Sequence, residues 1–161
     1  MKHMTIVFGL TLIGLITAGE GIAQSTQKEA TMTARGTFDV KLVPQPADSA
    51  GGPFGRLVIE KKQFQGDLEA TSKGQMLGAF TAVEGSGAYV ALELVTGVLN
   101  GKSGSFMLQH KGTMQKGVYL MDVTVVPDSG TDQLTGIAGT MTIIIEGSKH
   151  SYAFEYTLEG K

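Results

Sequence analysis

From Thr31 to Leu158, apolar and β-branched residues alternate with polar ones, and glycines cut the runs short. A period of two predicts β-strands, and no stretch of this region shows a helical period. The predicted strands are Thr31–Val43, Arg56–Phe64, Asp67–Ser72, Leu77–Val83, Tyr89–Leu99, Ser103–Met114, Val118–Val126, Gly139–Glu146 and His150–Leu158. Counting the segments on either side of Gln65-Gly66 as one strand or two gives eight or nine. The breakers are short: Lys73-Gly74, Gly85-Ser86-Gly87, Asn100-Gly101, Gln115-Lys116-Gly117 and Gly147-Ser148. Connections of that length join antiparallel neighbours. Two connections are longer, Pro44 to Pro53 and the polar turn Pro127-Asp128-Ser129-Gly130-Thr131.

A run of antiparallel strands must hide its edges, by closing on itself or by stacking as two sheets. Gly36, Gly97, Gly104, Gly112 and Gly139 fall inside predicted strands. Glycines so placed mark sharp bends, the device that barrel closure needs. The expected fold is therefore all-β, a closed antiparallel β-barrel of about eight strands, with a β-sandwich as the alternative.

Two turns set register. Asn100, the only asparagine, stands in an Asn-Gly pair suited to a two-residue hairpin. That loop pairs Leu99 with Lys102, Glu93 with Leu108 and Ala91 with His110. Glu93 and His110 then share a face as diagonal neighbours, within reach of long side chains; a four-residue loop would place them directly opposite. The same face holds Tyr89, Val95, Phe106, Leu108 and Met114. Gly147-Ser148 likewise places Ile143 opposite Tyr152 and Met141 opposite Phe154, with Thr140, Thr142, Ala153 and Glu155 on the other side.

A glutamate inside a barrel is expected to have a raised pKa, which a nearby histidine opposes. Such a pair could serve as general acid and base, or simply as a satisfied structural hydrogen bond. Glu93 and His110 are the candidate catalytic residues; Tyr89, Glu93, Phe106, Leu108 and His110 are the candidate ligand-binding set. The opposite face carries Val90, Leu92, Leu94 and Met107. An apolar outer surface points to a contact between copies, a homo-oligomer.

Residues 1–23 read as a signal peptide: basic Met1-Lys2-His3, the apolar run Met4 to Ala18, then the small residues Gly21-Ile22-Ala23. The apolar run is short for a span of roughly 20 residues, so cleavage is expected rather than a retained anchor. The mature chain, 24–161, suits one barrel domain in the bacterial periplasm or outside the cell. The chain has no cysteine, which removes disulfides, thiolate sites and a lipid-bearing cysteine. Its net charge is −2, and Lys2 and Glu20 cancel within the leader. A weakly acidic surface gives no electrostatic reason to bind nucleic acid or an anionic membrane. The mature histidines are His110 and His150, too few for a three-histidine zinc site, so no metal is expected. Asp67, Glu69, Thr71 and Lys73 read as a solvated strand face. Nothing implies a cofactor: there is no phosphate-binding glycine loop, no G-x-S-x-G elbow and no HExxH.

Phe64-Gln65-Gly66-Asp67-Leu68-Glu69-Ala70-Thr71-Ser72, Tyr89-Val90-Ala91-Leu92-Glu93, Gly104-Ser105-Phe106-Met107-Leu108-Gln109-His110 and Val125-Val126-Pro127-Asp128-Ser129-Gly130-Thr131 resemble the bacterial family catalogued as domain of unknown function 3224. The resemblance runs from about Thr31 to Leu158. That family is similar in fold to the allene oxide cyclase barrels, which include the plant dirigent proteins. The resemblance implies a closed eight-stranded barrel with an internal cavity; it supplies no catalytic residues to transfer. Three functions are expected, in this order. The first is binding of a small apolar molecule in the barrel interior, oriented by Glu93, His110 and Tyr89. The second is a cofactor-free isomerase, cyclase or lyase using Glu93 and His110. The third is a solidly packed barrel acting through its outer face.

Overall fold

The computed structural model describes residues 30–46 and 52–159; the leader predicted over residues 1–23 lies outside them. Eight strands follow one another in the order β1 (Met32–Gln45), β2 (Phe54–Gly66), β3 (Leu68–Phe80), β4 (Gly87–Leu99), β5 (Lys102–Gln115), β6 (Val118–Val125), β7 (Ile137–Glu146) and β8 (Lys149–Leu158). Each pairs antiparallel with the next, and β8 returns to β1, closing a barrel. The sandwich alternative does not form.

The turns fix the register as their chemistry requires. Asn100 and Gly101 both have positive φ, 46° and 79°, the signature of the hairpin turn that matches strand twist. Leu99 pairs with Lys102, Glu93 with Leu108 and Ala91 with His110. The Asn100 side chain also donates to the Tyr156 hydroxyl at 2.9 Å, tying the turn to β8. A Cβ at Gly101 would meet nothing within 4 Å, so Gly101→Ala carries only the left-handed backbone penalty. It should lower stability by about 1 kcal/mol, read as a lower urea midpoint at unchanged slope. An unchanged midpoint would show that this turn is not strained. Ile143–Tyr152 and Met141–Phe154 pair across the Gly147-Ser148 turn as expected.

Several strand boundaries differ from the alternation-based reading. Lys73-Gly74 does not break the chain: β3 runs straight through it, with Gly74 opposite Glu93. A Cβ at Gly74 would lie 2.4 Å from the Leu92 carbonyl oxygen, so this glycine permits close strand approach. At its far end β3 stops at Phe80 rather than Val83, where the Thr81 N–H donates to the Ser86 carbonyl and closes the turn.

A difference inside β2 matters more. Ile59 pairs with Leu42 and Lys61 with Lys41, leaving Glu60 without a partner on β1. Across the other side, Ile59 pairs with Gly74 and Lys62 with Ser72. This β-bulge inserts one residue and reverses the facing of the rest of β2. Ile59 points inward before it; Lys62 and Phe64 point inward after it, all three buried.

The two ends of the barrel are unlike. At the base, β6 stops early and the segment after it covers the exposed edge of β5. Val126 N–H donates to the Met107 carbonyl, Met107 N–H to Ser129 Oγ, Ser105 N–H to Thr131 Oγ1 and Ser103 N–H to Gln133 Oε1. The short 3₁₀ turn Asp132–Leu134 then drops Leu134 into the barrel as a plug. Above it stack Phe106, Phe154 and Tyr156, with centroid separations of 5.6 and 5.1 Å. Each such buried side chain contributes about 1.5–3 kcal/mol. An aromatic ring lies over one strand glycine: a methyl at Gly112 would collide with the Tyr89 ring, whereas at Gly139 it would meet the β8 backbone at Glu155 and Tyr156. At the other end β1 continues from Asp39 to Gln45 past the last β8 partner, His150, and the barrel opens.

Candidate functional site: a buried ion pair beneath an open apolar cavity

Glu93 is brought inside by the alternation of β4, and it is 1% exposed. Around its carboxylate converge three side chains from three other strands. His110 Nε2 of β5 lies 2.8 Å from Oε2. Lys62 Nζ of β2 straddles the two oxygens, 3.3 Å from each. The Ser72 hydroxyl of β3 donates to Oε1. A carboxylate accepts only, so His110 carries its proton on Nε2. With these four contacts the capacity of the carboxylate is filled, and among the described residues no buried side-chain nitrogen or oxygen lacks a partner.

The charges are held strongly. Burial alone pushes the Glu93 carboxyl up. The His110 hydrogen bond, the Lys62 charge and the Ser72 hydroxyl together outweigh it and bring the pKa down to about 2. Burial lowers the Lys62 ammonium, against the opposing pull of Glu93. Lys62 is further embraced by two rings, its Nζ 4.1 Å from the Phe38 centroid and 4.5 Å from that of Phe64, a cation–π arrangement that replaces lost hydration.

Sequence reasoning placed Glu93 and His110 together and the structure does so. It missed Lys62 and Ser72. The carboxyl is accordingly low where a raised value was expected. The missed signal lay in parity: Ile59 and Phe64 are an odd number of residues apart, so both can face inward only across an inserted residue. Ser72 was hidden by treating Lys73-Gly74 as a break, although Leu68, Ala70 and Ser72 do form the buried face opposite Asp67, Glu69, Thr71 and Lys73.

A cavity of about 470 Å³ occupies the open end. Its apolar wall comes from Leu57 of β2, Met76 and Phe80 of β3, and Met114 of β5; Tyr89 and Tyr119 stand among them. The Tyr119 hydroxyl donates to that of Tyr89 at 2.8 Å, with the rings nearly parallel at 11° and 6.4 Å apart. Burial raises the Tyr89 phenol, and the Glu93 charge raises it further. The cavity and the ion pair are neighbours on the same strands: along β4 the inward residues run Tyr89, Ala91, Glu93.

Of the five candidate ligand-binding residues, Tyr89 alone lines this cavity. Glu93 and His110 lie deeper, sealed in the ion-paired layer, and Phe106 and Leu108 belong to the packed core below. On the outer surface Val90, Leu92, Leu94 and Met107 are exposed, Leu92 by 57%, and Leu94 pairs directly with Met107. Among the described residues no group of three histidine, aspartate or glutamate side chains is placed to hold a metal ion.

A small closed barrel, plugged at its base, braced by a buried charge network and hollow at its mouth, is the architecture of barrels sized to hold side chains or one small ligand. The chain belongs to the DUF3224 family, described as proteins of unknown function, whose family model matches residues 34–156. A crystal structure of a DUF3224-family protein with unknown function from Shewanella oneidensis MR-1 is similar to it, at 47% sequence identity and a TM-score of 0.76, covering 82% of this chain and 100% of that one. No curated protein matches the sequence.

Proposed function

We propose that the protein binds a small, largely apolar molecule in the cavity at the open end of the barrel. The observation that carries this reading is the cavity itself. Its volume of about 470 Å³ falls in the range of roughly 300–1,000 Å³ usual for small-molecule sites, and its wall is mostly apolar with a few polar groups. The base is plugged and the middle is filled by side chains, so the ligand belongs at the mouth rather than along the full interior. The leader-like pattern of residues 1–23 supports a periplasmic or secreted setting.

The isomerase, cyclase or lyase reading draws no support from this geometry. A general base works best when its pKa lies near the working pH, whereas Glu93 is held near about 2 and has no free lone pair to offer.

Gly55 tests the binding reading. It lines the cavity, and a Cβ there would meet nothing within 4 Å. Gly55→Phe should therefore fill the mouth without disturbing the strands. The wild type is expected to enhance the fluorescence of N-phenyl-1-naphthylamine, and the variant to bind it at least about tenfold more weakly, roughly 1.4 kcal/mol. A wild type that leaves the dye dark, or a variant that binds it equally well, removes the proposal.

A further inference from the structure

We infer that the bound molecule carries an oxygen acceptor of the carbonyl kind, seated on the hydroxyl of Tyr89. The inference deepens the binding reading and rests on the cavity being the site. Each phenol has one proton to donate. Tyr119 gives its proton to the Tyr89 oxygen. Tyr89 therefore receives a bond, and among the described residues its own proton goes to no protein acceptor. A hydroxyl that accepts one hydrogen bond becomes a better donor for the next, so the pair acts as a two-step relay ending in the cavity.

The aim of that relay is fixed by packing. The Tyr89 ring lies over Gly112, where any side chain would collide with it, and the ring of Tyr119 runs nearly parallel beside it. Burial and the Glu93 charge keep the Tyr89 phenol in its protonated, neutral form, which is the form that can donate. Of the rest of the wall, Leu57, Met76 and Met114 have no polar atom to compete except weakly accepting sulfur, while Gln45, Arg56 and Thr113 complete the lining. The Tyr89 hydroxyl is half-buried at the mouth; a guest that shields it from water without offering an acceptor leaves a donor unpaired, which is costly, so the site favours a molecule that brings an acceptor over a plain hydrocarbon.

Two fluorescent probes separate the possibilities: 6-propionyl-2-(dimethylamino)naphthalene, whose ketone is an acceptor, and N-phenyl-1-naphthylamine, which has no carbonyl. Tyr89→Phe removes only the hydroxyl and keeps the ring over Gly112. The variant should bind the ketone probe about five- to tenfold more weakly, the size of one neutral hydrogen bond, with emission shifted to the blue as the carbonyl loses its donor. Binding of the naphthylamine should stay within about twofold. If the variant treats both probes alike, or the ketone emission does not move, the inference falls while the binding reading stands. If the wild type binds neither probe, both fall together. A thermal melt of Tyr89→Phe close to that of the wild type shows that the loss is local, and a collapsed melt assigns Tyr89 to the scaffold and overturns the inference.

Discussion

Glu93→Gln should destabilise the barrel by about 3–5 kcal/mol, the range found when one member of a buried charge pair is removed. The replacement is nearly isosteric, so packing is not what changes. It leaves the Lys62 ammonium, 3% exposed, with no countercharge and only the Phe38 and Phe64 rings for company. It also turns an all-acceptor carboxylate into an amide with a single accepting oxygen, where Lys62, His110 and Ser72 all donate to Glu93. Lys62→Met should cost a comparable amount by stranding the carboxylate instead. The double variant Lys62→Met/Glu93→Gln should recover much of the loss, because neither charge is then orphaned. Urea unfolding of the four proteins closes the cycle. If the two single losses simply add, the pair is not coupled, and the account of Glu93 as the hub of this layer is wrong.

Acid should unfold the protein through the same residue. The folded Glu93 carboxyl is held at about 2, below its ordinary value of 4.5. The unfolded chain therefore takes up a proton first as pH falls. The contribution is present in full above pH 4.5 and is lost as pH drops through the folded value. A depression of this size corresponds to about 3 kcal/mol, most of it disappearing between pH 4.5 and 2. Melting temperature measured across that window should fall steeply for the wild type and much less for Glu93→Gln, which has nothing to titrate there. Parallel slopes for the two proteins would mean that another group carries the acid limb. Loss of the wild-type advantage already above pH 6 would mean that Glu93 is not held low.

The architecture was largely legible in the sequence because its rules are local. Alternation marked the strands, and short glycine turns forced antiparallel neighbours. Asn100-Gly101 put Glu93 and His110 on one face whether the loop had two residues or four. The charge network was half legible for an equally physical reason. A strict period of two cannot show a residue that breaks the period, and the bulge at Glu60 is such a residue. Lys62 sits in the run Glu60-Lys61-Lys62-Gln63, which reads as a polar surface stretch until the inward positions of Ile59 and Phe64 are seen together. The raised carboxyl expected from burial alone followed from that omission, since the lysine and the serine that lower it were not in view. The cavity was the least legible part. It depends on where β1 outruns β8 and on which end Leu134 plugs, and both are set by contacts between residues far apart in the chain.

The inserted residue in β2 has one more consequence. It acts as a frameshift in a two-letter code of inside and outside, so the mouth and the base of the barrel are written in different frames. Gly55 and Leu57 line the hollow end, with Ile59 buried in the same frame, and 62 and 64 face the charged and aromatic layer in the other. Deleting Glu60 would merge the frames and turn Lys62 and Phe64 outward together. With it in place, the rim on β2 can be rewritten for a different guest while the layer that holds the barrel shut keeps its spelling.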